Sequence, residues 1–211
     1  MLENKRVLVL APHTDDGELG CGATIAKLIE SGSEVYYAAF STADESVPNG
    51  FPSNQLEVEV KAATKKLGIK KENLFVYKYH VRKLNYVRQE ILETLIKLRA
   101  EVKPEVVFLP SSKDIHQDHV TVTNEGIRAF KFCTILGYEL IWNNLSFNTD
   151  CFITLKEKHV KKKIKALKAY KTQAGKAYMD PDFIRSLAKV RGTQIGVDFA
   201  ETFEVIRLMI R

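Results

Sequence analysis

Cysteine is scarce and long apolar runs are absent. The 211 residues hold three cysteines, Cys21, Cys133 and Cys151, at no metal-ligand spacing. That excludes a disulfide scaffold and a cysteine-built zinc site, and an odd number suits a reducing compartment. The longest apolar runs, such as residues 7–12, are far too short to span a bilayer. Glu3, Lys5 and Arg6 precede that run and no small-residue cleavage site follows it, so no signal peptide is expected. Repeats, low-complexity segments and linkers are also missing, and no zinc-finger, homeodomain or RNP-type pattern points to nucleic acid. The remaining reading is a cytoplasmic protein of one domain, residues 1–211, without a membrane span.

Hydrophobic residues make up 45% and charged residues 27% of the chain, an ordinary globular balance that allows a sizeable core. The net charge of +6 is concentrated in residues 156–171, where Lys156, Lys158, Lys161, Lys162, Lys163, Lys165, Lys168 and Lys171 stand. Val160, Ile164, Leu167 and Tyr170 recur there at three- and four-residue steps, which predicts an amphipathic helix with an apolar face inward and a lysine face in water. A solvated face is the reading favoured by charge runs, with an anionic partner surface as its alternative.

The first two-thirds of the chain alternate short apolar runs with helical patterns. Strands are expected at residues 6–11, 34–40, 74–79 and 105–109. Helices are expected at 18–31, 54–67, 86–102 and from Asp118 or His119 to about 132. Gly32 and Gly68 stand at two of the helix ends. Strand alternating with helix at this spacing predicts a Rossmann-like α/β fold, a mostly parallel sheet with helices on both faces. Beyond it, strands at 138–142, 151–155 and 204–209 and helices at 156–171 and 183–190 are expected.

Two polar clusters interrupt these patterns. Pro12-His13-Thr14-Asp15-Asp16-Gly17-Glu18 follows strand one, and Lys113-Asp114-Ile115-His116-Gln117-Asp118-His119 follows strand four. In a doubly wound sheet those strands are neighbours, and ligands bind outside their carboxyl ends. Two histidines and a carboxylate from these clusters make a three-ligand divalent site with open positions. Asp15 beside it can take the proton of an attacking water whose pKa a divalent ion lowers. A second histidine held by an aspartate supplies a cation near a developing oxyanion. Asp15 and Asp16 could instead cap the following helix. His80 and His159 have no partners at ligand spacing. Gly17, Gly20 and Gly22 are spaced G-x-x-G-x-G, which does not match a dinucleotide fingerprint.

These two clusters resemble the motifs of the LmbE/PIG-L family of zinc-dependent N-deacetylases, with weaker likeness at Lys171-Thr172-Gln173, Arg191-Gly192 and Ala200-Glu201-Thr202-Phe203. The resemblance implies Zn2+ on His13, Asp16 and His119, and Asp15 as general base. It implies His116 as the cation that polarises the amide carbonyl, with Asp118 orienting its ring. The reaction it implies is removal of an N-acetyl group from an amino sugar or sugar conjugate, a small-molecule substrate; many members assemble as trimers or hexamers. Two departures stand out. Thr14 replaces the usual proline, and residues 41–59 lack the arginine that grips substrate hydroxyls in many members, leaving Asn54 or Gln55 in that role. Lys113 and Arg191 are the candidates for an anionic part of the substrate, and residues 42–53 for one rim of the pocket. Two other classes compete: a non-catalytic zinc- or sugar-binding module, and a non-haem iron enzyme, whose usual β-barrel scaffold does not fit the α/β pattern.

Overall fold

The computed structural model describes residues 3–210. Seven strands form one sheet: β1 (Arg6–His13), β2 (Glu34–Ser41), β3 (Leu74–Val76), β4 (Val106–Pro110), β5 (Thr134–Tyr138), β6 (Cys151–Leu155) and β7 (Phe199–Arg207). Their order is β3-β2-β1-β4-β5-β7-β6. The first five pair in parallel, and β7 runs antiparallel between β5 and β6. Among the described residues the six α-helices are α1 (Asp16–Glu30), α2 (Gln55–Leu67), α3 (Arg88–Val102), α4 (Gln117–Ala129), α5 (Glu157–Leu167) and α6 (Pro181–Thr193). None of the described helices is long and apolar enough to cross a membrane.

β1 shows why the sheet is buried on both sides. Val7, Val9 and Ala11 join the core cluster that includes residues of α1, α2 and α5, whereas Leu8 and Leu10 join the one that includes residues of α3 and α4. A strand apolar on both faces has no solvent side, so it takes the centre of a parallel sheet with helices above and below. Chain order reverses between β1 and β4, and a crevice opens at their carboxyl ends.

The glycines of α1 serve packing. A Cβ on Gly20 would lie 2.2 Å from the Tyr138 ring, and one on Gly17 would lie 2.6 Å from Tyr37. α1 is kinked at Cys21 (φ −141°, ψ 23°), which frees the amides that follow. Glu201 of β7 accepts from the N–H groups of Ala23 and Thr24 at 3.2 and 2.7 Å, and Lys163 neutralises it at 2.7 Å. A buried carboxylate is tolerated there because it is both paired and hydrogen-bonded.

Several expectations need correction. β5 covers Thr134–Tyr138 instead of 138–142; after Tyr138 the chain turns, with the Asn143 N–H on the Leu140 carbonyl at 2.8 Å, and Trp142 leaves the sheet. The last strand begins at Phe199, five residues early, because it pairs with all of β6. Not every lysine of the basic helix faces water: Lys163 is buried against Leu19 and Glu201.

Gly20→Ala should destabilise the protein by about 1–3 kcal/mol, the usual cost of overpacking. Helix propensity alone would stabilise it by about 1 kcal/mol. The sign of the change in urea denaturation therefore tests whether contact with Tyr138 or propensity dominates.

Candidate metal centre

The turn from β1 into α1 carries His13, Asp15 and Asp16, and its backbone is held from below. The Tyr37 and Tyr170 hydroxyls lie 2.9 and 2.7 Å from the Thr14 carbonyl oxygen, and both also contact the buried Glu18 carboxyl. Burial pushes Glu18 up to about 8. Across the crevice, Ser111 and Ser112 bond to Glu204 of β7, which fixes the start of the β4–α4 loop carrying His116, Asp118 and His119.

Each of two imidazoles has one nitrogen committed to a buried carboxylate. His13 Nε2 lies 2.9 Å from Asp118 Oδ2, and His119 Nδ1 lies 2.7 Å from Asp114 Oδ2. Carboxylates accept only, so each of these ring nitrogens carries the proton. The opposite nitrogens are left as lone pairs that face each other, His13 Nδ1 and His119 Nε2 at 3.3 Å. Asp16 Oδ2 completes a triangle, 3.2 Å from His13 Nδ1 and 3.3 Å from His119 Nε2, and accepts the His13 main-chain N–H at 2.8 Å. Ligands around a tetrahedral zinc at its ordinary bond lengths are separated by roughly 3.3 Å. Three electron-rich atoms this close repel one another unless protons or a metal ion stand among them. The donor set, its spacing and its carboxylate-held tautomers all fit a divalent ion.

The electrostatics have the same origin. Burial opposes the charging of His119 and His13, but Asp16 with Asp114, and Asp16 with Asp118, outweigh it and lift them to about 10 and about 9. Asp16 is held well below the carboxylate range by the same two histidines, against its burial. Asp15 is not in the triangle. Burial, and then repulsion from Asp16, push it up to about 6.

His116 and Asp118 differ from expectation. The His116 Nδ1 accepts the Asp118 main-chain N–H at 3.2 Å as the cap of α4. Burial, with His119 and His13 nearby, lowers its pKa below the ordinary histidine value. His116 is therefore a neutral ring whose Nε2 carries the proton, not a standing cation. The Asp118 carboxylate does not orient His116. It accepts from His13, from the Arg82 N–H at 2.6 Å and from the Leu84 N–H at 3.2 Å. The three imidazoles also offer nitrogens within 4.8 Å of one another, but His116 is outside the 3.3 Å triangle.

The crevice above the triangle is a cavity of about 330 Å³ lined by His13, Asp15, Asp16, His116 and His119. Ala43 and Ser46 of the β2–α2 loop form one rim, together with Arg82, and Trp142, Lys176 and Tyr178 form another. Neither Asn54, Gln55, Lys113 nor Arg191 lines it. Gln55 donates to Glu59 at 3.1 Å, and the exposed Lys113 has its main-chain N–H on Ser111. Arg191 grips Glu139 through Nε at 3.1 Å and Nη2, so its charge is already matched. His80 and His159 pair with Glu45 and Glu30 away from the crevice.

The PIG-L family profile, described as GlcNAc-PI de-N-acetylase, matches residues 8–130, more than half of the chain. The chain belongs to the PIG-L family. It is 29% identical over 176 residues to YaiS of Escherichia coli, an uncharacterized deacetylase; the match covers 81% of this chain and 92% of that protein. It is 31% identical over 143 residues to the diacetylchitobiose deacetylase of Thermococcus kodakarensis, covering 64% of this chain and 52% of that one. The conserved protein TT1542 of Thermus thermophilus shares the fold, with a TM-score of 0.83 at 24% identity over 98% of this chain and 97% of that one. Both polar clusters of the candidate metal centre lie inside the matched residues.

Because protons occupy His13 and His119 below about pH 9, a divalent ion must displace them. Zinc titration calorimetry in buffers of different ionisation enthalpy should show net proton release, with affinity weakening as pH falls from 9 to 6. Asp114→Ala, which frees the His119 ring, should weaken zinc binding about 10–100-fold. Unchanged affinity in a folded variant would remove Asp114 from the site.

Proposed function

We propose that this protein is a zinc-dependent N-deacetylase acting on an N-acetylated amino sugar or sugar conjugate. The observation that carries the reading is the 3.2–3.3 Å triangle of His13 Nδ1, Asp16 Oδ2 and His119 Nε2 on the floor of a cavity that also holds Asp15. Deacetylase relatives, one of them acting on diacetylchitobiose by its name, support the substrate class.

In this reading His13, Asp16 and His119 hold the zinc, which when bound supplies Lewis acidity to the water and to the amide carbonyl. Asp15 does the proton work. Its carboxyl, raised to about 6, is ionised at neutral pH yet basic enough to accept the proton of the attacking water. As the water oxygen bonds to the acyl carbon, the carbonyl gains negative charge, and in this reading the His116 Nε2–H donates to it. Asp15 then returns its proton to the nitrogen as the C–N bond breaks, leaving a free amine and acetic acid, which gives its remaining proton to the amine or to solvent and becomes acetate. Asp118 holds the His13 ring and, through its main chain, the His116 ring, so it acts as a positioning residue.

Two histidines and a carboxylate also suit Fe(II), and metal analysis of the purified protein separates the ions. Asp15→Asn should retain zinc while turnover on N-acetylglucosamine derivatives, read as free amine, falls about 10²–10⁴-fold. In the unsubstituted protein kcat/KM should fall as pH drops through about 6, since protonated Asp15 cannot accept. Full turnover in Asp15→Asn would refute the assignment of the base.

A further inference from the structure

Arg82 occupies a backbone position that suits glycine. Its φ is +63°, in the left-handed region, and its main-chain N–H is bound to Asp118 Oδ2 at 2.6 Å. Asp118 in turn holds His13 at 2.9 Å. The backbone duty could be met by glycine without steric cost. With an arginine there, the position that ties the main chain to Asp118 also delivers a long cationic side chain to the crevice. That side chain lines the cavity, and its hydrogen-bond partner there is neutral, the Ser46 hydroxyl, 3.4 Å from Nη2. Among the described residues no carboxylate lies within 4 Å of its guanidinium. Glu45 is near enough to feel its charge but is paired with His80 at 2.9 Å.

The part of the wall formed by Trp142 and Tyr178 carries a second cation. Lys176 lines the same cavity, with Nζ 5.5 Å from the centre of the Tyr178 ring, which stacks on Trp142 at 4.2 Å. The segment carrying Lys176 is tied down just upstream, where the Thr172 hydroxyl and N–H bond to the buried Glu59 at 2.6 and 3.1 Å. Asp15 attracts the ammonium, yet no ion pair within 4 Å forms. Elsewhere the cations near the core are matched, Lys163 by Glu201 and Arg191 by Glu139. The cavity thus presents two cations without a close carboxylate, beside an aromatic wall and above the metal ligands.

We propose that the substrate is an N-acetylated amino sugar bearing an anionic group, phosphoryl or carboxylate, and that Arg82 and Lys176 bind that group. The inference rests on the deacetylase reading and specifies its substrate. Because the Arg82 main chain is bonded to Asp118, the base of its side chain is anchored beside the candidate metal ligands. It can therefore set where the anion sits relative to the scissile amide. The cavity volume, at the lower end for ligand pockets, suits one sugar residue with a small charged substituent.

The test uses zinc-loaded protein and four sugars: N-acetylglucosamine, its 1-phosphate, its 6-phosphate and N-acetylmuramic acid. Turnover is read as amine release. Trp142, the one tryptophan of the sequence, stands on the cavity wall and reports binding by fluorescence whether or not turnover occurs. At least one anionic sugar should exceed the neutral one in kcat/KM by tenfold or more, and the preferred member identifies phosphate or carboxylate. In Arg82→Gln that ratio should fall at least tenfold, mainly through KM; Arg82→Lys should restore part of it, and Lys176→Gln should also lower it. Equal kcat/KM for neutral and anionic sugars, or a ratio unchanged in Arg82→Gln, would overturn the proposal. If no sugar releases amine yet anionic sugars quench Trp142 more tightly in the unsubstituted protein than in Arg82→Gln, the anion site stands and the deacetylase reading falls. If quenching shows no such difference, the anion site falls as well.

Discussion

Two buried carboxylates decide what the imidazoles at the switch point can do. Asp118 takes one nitrogen of His13 and Asp114 takes one of His119, so the remaining nitrogens point at each other with no proton required by any protein partner. Asp16 adds a third electron-rich atom to the same small space. Left alone, that arrangement is repulsive, and it persists because cations enter it. Protons do so at neutral pH, and a divalent ion would do so with better geometry.

The scaffold supports this local arrangement at several removes. Close packing of Tyr37 and Tyr138 against the glycines of α1 brings the helix onto the sheet. The Tyr37 and Tyr170 hydroxyls then hold the Thr14 carbonyl, which sets the turn that carries Asp15 and Asp16. On the far side Glu204 secures the β4–α4 loop. The Asp15 carboxyl sits among these fixed groups with its charge disfavoured by burial and by Asp16, which makes it a better base than a solvated aspartate.

Much of this was legible in the sequence. The doubly apolar run of β1 required a central buried strand, and the alternation with helices placed both histidine-aspartate clusters at one crevice. Less legible were the features made by long-range pairing. β7 was displaced because its register depends on β6 and β5, which no local pattern encodes. Lys163 read as solvent-facing because the kink at Cys21 and the cap from Glu201, which give it a buried partner, lie far away in sequence. The pocket rims followed the same rule. Residue type and proximity in sequence point to Asn54, Gln55, Lys113 and Arg191, whereas the chain brings Arg82, Trp142, Lys176 and Tyr178 to the crevice from three other segments. Asp114 could have been found, since an aspartate two residues before His116 and five before His119 can turn back on both, and it does.

The tautomers also separate the histidines by role. His13 and His119 have lone pairs directed into the triangle, while the Nδ1 of His116 is engaged by a main-chain N–H. Anomalous diffraction from crystals of the zinc-loaded protein tests it most directly. One ion should be bonded to His13 Nδ1, Asp16 and His119 Nε2, with Asp15 unbound. An ion held by His116 in place of Asp16, or bonded through His13 Nε2 or His119 Nδ1, would contradict it.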